Sequence, residues 1–95
     1  MLRVWGKLWA KNRIAESCTI EDADTTLPPE MRMKHCLDQI VRAFDLPMPI
    51  ILPSNQDDLK RFGQTRFTAD HFVEHFPYQS LEIEIIERDD DEKDE

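Results

Sequence analysis

Apolar and polar residues take turns from the first positions of this chain. Leu2, Val4, Gly6, Leu8 and Ala10 alternate with Arg3, Trp5, Lys7 and Trp9. After Lys11-Asn12-Arg13 the chain runs on through Ile14, Glu16, Cys18 and Ile20 against Ala15, Ser17, Thr19 and Glu21. A period of two on both sides of a short polar break predicts a β-hairpin. The rhythm then changes. Met33, Leu37, Ile40, Val41 and Phe44 recur at helical spacing, with Cys36 and Ala43 beside them, while Arg32, Lys34, Asp38, Gln39 and Arg42 fall on the other side. Pro28-Pro29-Glu30 supplies a start and Pro47 a stop, so residues 29–45 read as one amphipathic helix. Alternation returns at Leu81-Glu82-Ile83-Glu84-Ile85-Ile86-Glu87, the clearest single strand in the sequence.

The hairpin's register decides where its tryptophans go. A three-residue loop places Val4, Leu8, Ile14, Cys18 and Ile20 on one face, leaving Arg3, Trp5, Lys7 and Trp9 on the other. A two-residue loop gathers Trp5, Trp9, Ile14, Cys18 and Ile20 instead, because a one-residue slip turns a strand over. The first arrangement is favoured, since it misplaces only Glu16. If the 81–87 strand neighbours the first one, Glu82 and Glu84 come opposite Arg3 and Lys7, and opposite charges help to select that pairing. Leu2, Trp5 and Trp9 also fit the spacing of a basic amphipathic helix on a membrane surface. Gly6 inside such a helix, and the strand-like continuation to Ile20, favour the hairpin.

Between helix and final strand the pattern is broken. Residues 49–52 form an apolar run bracketed by prolines, a candidate fourth strand restricted to a sheet edge. Ser54-Asn55-Gln56-Asp57 and Gly63 frame a short helix carrying Leu59 and Phe62, and Thr68 opens another, roughly 69–76, with Phe72, Val73 and Phe76 for packing. The expected fold is therefore α+β: a three- to four-stranded antiparallel sheet (2–10, 14–21, 81–87, with 49–52 as the fourth), one long helix on a face, and two short helices in the 54–76 connection.

Composition narrows what such a domain does. Ninety-five residues carry a net charge of −8, which permits one domain and argues against general nucleic-acid binding, where phosphate neutralisation supplies most of the affinity. Residues 88–95 hold six acids and two bases with no apolar residue, and read as a disordered acidic tail behind a 1–87 domain. No apolar run approaches the roughly 18 residues of a membrane span, and basic residues interrupt the first stretch where a signal peptide needs an apolar core. Two cysteines, Cys18 and Cys36, are then expected as reduced thiols in the cytoplasm.

Three groups of residues carry candidate chemistry. His71-Phe72-Val73-Glu74-His75 has the letters of the H-x-x-E-H signature, in which a helix presents two histidines to a metal and the glutamate serves as general base. A metal-dependent hydrolase or metal-binding protein through His71 and His75 is thus one alternative, though only a strand and a tail remain to supply a third ligand. Cys18, His35 and Cys36 match no zinc spacing. Lys60-Arg61-Phe62-Gly63-Gln64-Thr65-Arg66-Phe67-Thr68 sets bases beside aromatics ahead of a helix start. Arg61, Phe62, Arg66 and Phe67 would suit an anion or a single-stranded nucleic acid; the simpler reading anchors the phenylalanines in the core and pairs the arginines with nearby acids. The Arg3-Trp5-Lys7-Trp9-Lys11 row, if it faces out of the sheet, offers a protein partner two tryptophans among cations, and bare tryptophans on a small monomer imply a partner or a homodimer. Nothing in the sequence calls for a cofactor, and no nucleophile–base arrangement or Gly-rich phosphate loop is present.

Arg3-Val4-Trp5-Gly6-Lys7-Leu8-Trp9, Phe44-Asp45-Leu46-Pro47 with Pro49-Ile50, Thr65-Arg66-Phe67 and Leu81-Glu82-Ile83 together resemble a small family of uncharacterised proteins of similar length from anaerobic Gram-positive bacteria. The resemblance covers most of residues 2–87. It implies a compact cytoplasmic domain and assigns no activity. The expectation from the sequence is a non-catalytic cytoplasmic protein-interaction or self-associating module, working through Trp5, Lys7 and Trp9 or through the Arg61–Phe67 loop.

Overall fold

The structure is a computed structural model that describes residues 1–23 and 26–88. Four antiparallel strands make one sheet: β1 (Leu2–Ala10), β2 (Arg13–Asp22), β3 (Gln64–Phe67) and β4 (Ser80–Glu87), in the order β2-β1-β4-β3. Two helices, α1 (Pro29–Ala43) and α2 (Pro53–Phe62), lie on the same face of that sheet, α1 against β1 and β2 and α2 against β3. Among the described residues no helix is long and apolar enough to cross a membrane. Of the acidic extension expected over 88–95, only Arg88 is described; residues 89–95 lie outside the described residues.

The hairpin resolves its register by using both of the arrangements that the sequence allows. Lys11 and Asn12 both take positive φ, 53° and 63°, so a two-residue turn of the kind that matches strand twist joins Ala10 to Arg13. Trp9 accordingly pairs with Ile14, but the register shifts at the next step and Leu8 pairs with Glu16. Ala15 is the extra residue, a β-bulge. Beyond it the strands follow the three-residue-loop register, with Val4 opposite Ile20 and Gly6 opposite Cys18. The inner face therefore receives Val4, Leu8, Cys18 and Ile20 as favoured, while Ile14 moves to the tryptophan face, where it is 44% exposed. Strand pairing of residues 2–10 also disposes of the membrane-surface helix.

The inner face forms the core. Val4, Leu8, Leu81 and Phe67 are fully buried and Ile83 nearly so, beneath Cys36, Leu37, Ile40 and Val41 of α1. Gly6 makes this packing possible: a Cβ there would sit 2.6 Å from Cγ2 of Ile40, so only glycine lets the helix come this close. Arg32, expected on the solvent side of α1, is instead buried. Its guanidinium donates to the Asp22 carbonyl at 2.8 Å and lies 3.7 Å from the Asp22 carboxylate, tying the helix to the end of β2.

Two expected elements are absent. Residues 49–52 are not a strand; the backbone there is irregular, with Ile50 N–H donating to the His71 carbonyl. The fourth strand is β3, residues 64–67, inside the stretch expected to be a loop. The helix expected over 69–76 is a single 3-10 turn, Ala69–His71. Phe72 already has extended geometry (φ −114°, ψ 134°), and Phe72 and Phe76 pack by stacking on each other, 4.1 Å between ring centres, rather than as successive turns of a helix. Gly63, by contrast, ends α2 as expected, in the left-handed region at φ 71°.

Candidate functional site

Two surfaces of the described residues stand out once the core is accounted for. The first is the sheet face that carries no helix. Here Arg3, Trp5, Lys7 and Trp9 of β1 stand opposite Glu87, Glu84, Glu82 and Ser80 of β4, and Arg66 of β3 stands opposite Glu82. Glu82 comes opposite Lys7 as expected, but Glu84 stands opposite Trp5 and Arg3 meets Glu87 instead; together these groups close a network. Lys7 Nζ donates to Glu84 Oε1 at 3.0 Å and lies 3.6 Å from Glu82, while the Trp9 indole N–H donates to Glu82 Oε1 at 2.9 Å. Arg66 reaches the same glutamate at 3.6 Å and lies over the Trp9 ring, 5.8 Å from its centre. Lys7 lies 4.0 Å over the Trp5 ring, a desolvated cation–π contact. Lys7 and Glu82 are each only 7% exposed, although no helix covers them: the flanking indoles and each other's side chains do so. Trp5 and Trp9 are half-buried. The row is therefore a self-neutralised lattice rather than a set of cations waiting for an anion.

The second surface was not legible in the sequence. The two helices do not meet over the middle of the sheet. Between them lies a half-open trough of about 330 Å³. Its floor is Phe67 of β3 with Ile83 and Ile85 of β4. Met33 and Leu37 of α1 form one wall, Leu59 of α2 the other, and Ile51 closes an end. The mouth carries Met31, Glu30, Lys34, Gln56, Lys60 and Arg88. The second wall is fixed by Asn55, buried at 3% exposure, whose side-chain amide donates to Thr65 Oγ1 at 2.8 Å and to the Arg66 carbonyl at 3.2 Å. Its own Oδ1 accepts from Leu52 N–H. This holds the start of α2 against β3. At the other end of α2, Arg88 donates to the Leu59 carbonyl. A volume near 300 Å³, an apolar interior and a few polar groups at the mouth are the attributes of a small-ligand site.

The remaining candidates separate. Arg61 is on α2, in the helical layer, paired with Asp57 at 3.2 Å; Arg66 is on the opposite side of the sheet with Glu82. The two arginines do not share an anion site. Phe67 is fully buried in the trough floor, while Phe62 is 69% exposed. His71 and His75 do not share a helical face, because the helix that would align them is absent. The His71 Nδ1 accepts from Thr68 N–H at 3.1 Å, and its ring meets Phe67 edge-on; Glu74 and His75 are exposed. Among the described residues no group of three or more histidine, cysteine or acidic side chains is placed to hold a metal ion. Both cysteines are free. Burial pushes the Cys36 thiol up to about 11, helped by Asp22 and partly opposed by Arg32, and burial with Glu16 raises Cys18 too. Neither is an activated nucleophile.

Comparison with protein-family models, with curated proteins and with solved structures returns no match to this chain.

Proposed function

We propose that this chain is a non-catalytic binding module of the cytoplasm, and that its binding element is the trough between α1 and α2. The observation that carries the reading is the trough's lining: a concave apolar volume of about 330 Å³ whose interior, among the described residues, holds no histidine, cysteine or hydroxyl group, with charged side chains at its mouth. Such a site holds an apolar group without acting on it. A neutral apolar fluorophore such as N-phenyl-1-naphthylamine is expected to bind saturably with one-to-one stoichiometry, and Leu59→Asp to abolish the signal while circular dichroism is kept. Absence of saturable binding, or binding untouched by Leu59→Asp, sinks the reading.

A second reading is self-association through the open face of the sheet. It is supported by the placement of both helices on one side, which leaves half-buried Trp5 and Trp9 among groups of both signs, a surface that a second copy can match. Sedimentation equilibrium is expected to give a dimer that Trp5→Glu dissociates. A monomer at millimolar concentration ends this reading.

A further inference from the structure

We infer that the trough takes a single medium-length acyl chain bearing an anionic head, such as a free fatty carboxylate. The inference rests on the binding reading above and adds the chemistry of the ligand. Lys34 on the α1 wall and Lys60 on the α2 wall both stand at the mouth, solvent-exposed, and neither makes an ion pair among the described residues. Arg88 stands at the same rim, engaged with the Leu59 carbonyl, and among the described residues the one acid lining the trough is Glu30. Among the described residues, two lysines face one acid around an apolar cavity, in a chain whose overall charge is −8. Several other described cations are matched locally, Arg3 by Glu21 and Glu87, Lys7 by Glu82 and Glu84, Arg42 by Asp38, and Arg61 by Asp57, while Lys11 and Arg13 at the hairpin turn, like Lys34 and Lys60, make no ion pair among the described residues.

The shape suits one chain rather than two. Phe67, Ile83, Leu37 and Leu59 confine the floor and walls, while Met33 supplies an unbranched, polarisable side chain that adapts to a flexible ligand. At about 330 Å³ the volume lies near the lower limit of ligand pockets, too small for a two-chain lipid. With its methyl end on Ile83, the ligand's carboxylate comes out between Lys34 and Lys60, where charge fixes its direction.

The test compares three probes of one chain length, decanoate, decanol and decylammonium, below their micellar concentrations at pH 7.5. Binding is read from the methyl carbon–proton signals of Met31 and Met33, which line the trough, with Met1 as an internal control. Decanoate is expected to bind about tenfold more tightly than decylammonium, decanol falling between, since the two rim lysines contribute modestly each. The double variant Lys34→Glu/Lys60→Glu is expected to reverse that order and to leave decanol unchanged. Equal affinity for all three probes overturns the anionic-head inference and leaves the apolar trough standing. Failure of all three to move the Met31 and Met33 signals overturns both. Sedimentation with phosphatidylglycerol vesicles, without binding of monomeric decanoate, also overturns the inference, assigning the rim cations to a membrane surface instead.

Discussion

The two faces of the sheet are made from the same alternating strands and are finished in opposite ways. On the inner face, Leu8, Leu81 and Ile83 lose contact with water because α1 and α2 lie over them. On the outer face no described helix lies over Lys7 and Glu82, yet they are almost as inaccessible. There the cover is supplied by the neighbours on the sheet itself, with each charge facing its opposite and each indole lying along a cation. Burial without a second layer is thus achieved with polar side chains, and incomplete burial under a second layer is left with apolar ones. The trough is the place where the helical cover stops.

If the contrast is real, substitutions should rank by how much each face depends on its own kind of closure. Leu81→Ala, at a fully buried inner position, is expected to cost about 4 kcal/mol in urea denaturation. Lys7→Ala on the outer face is expected to cost about 3 kcal/mol, because it leaves Glu82 with less compensation in a nearly dry site; a loss below about 1 kcal/mol would show that face to be ordinary solvated surface. Gly6→Ala should cost about 2 kcal/mol, since Ile40 must move away from the sheet. Alkaline titration sharpens the picture of the inner face. The Cys36 thiol holds its proton up to about 11 when folded, against about 9 when unfolded. Its contribution is therefore complete below pH 9 and lost as pH rises from 9 to 11. Wild type should lose more stability over that interval than Cys36→Ala, and parallel profiles would refute the shift. The smallest effect belongs to the outer rim: Glu21→Gln breaks an exposed pair with Arg3 at 2.9 Å and should change stability by less than about 0.5 kcal/mol.

How much of this was readable beforehand depended on whether a feature is local. The hairpin, α1 and β4 follow from period-two and helical spacing within single stretches, and so does the placing of Glu82 opposite Lys7, whereas Arg3 meets Glu87 and not Glu84. The bulge at Ala15 was not readable, because each register taken alone is self-consistent and only the combination satisfies both the tight turn and the core. Strand β3 escaped because four residues, Gln64 to Phe67, carry too short an alternation to stand out from a run of bases and aromatics. The helix expected after Thr68 failed for a related reason: Phe72 and Phe76 answer to each other and to the core, and that contact outweighs the local spacing. Arg32 looked like solvent-facing charge because its partner, Asp22, lies in another element. The trough draws its lining from α1, residue 51, α2, β3 and β4, so no window of sequence contains it. Of the candidate site residues, Phe67 alone lies in it.

The order of strands has a consequence for how the chain reaches this state. The central pair of the sheet, β1 and β4, joins the earliest and latest described strands, with Leu8 opposite Leu81. Contact order along that ladder is high, so closing it carries a large loop entropy and should make folding slow. Until β4 emerges from the ribosome, β1 has a bare hydrogen-bonding edge and Lys7 has neither of its glutamates. The nascent hairpin must wait for β4 before either face can be completed.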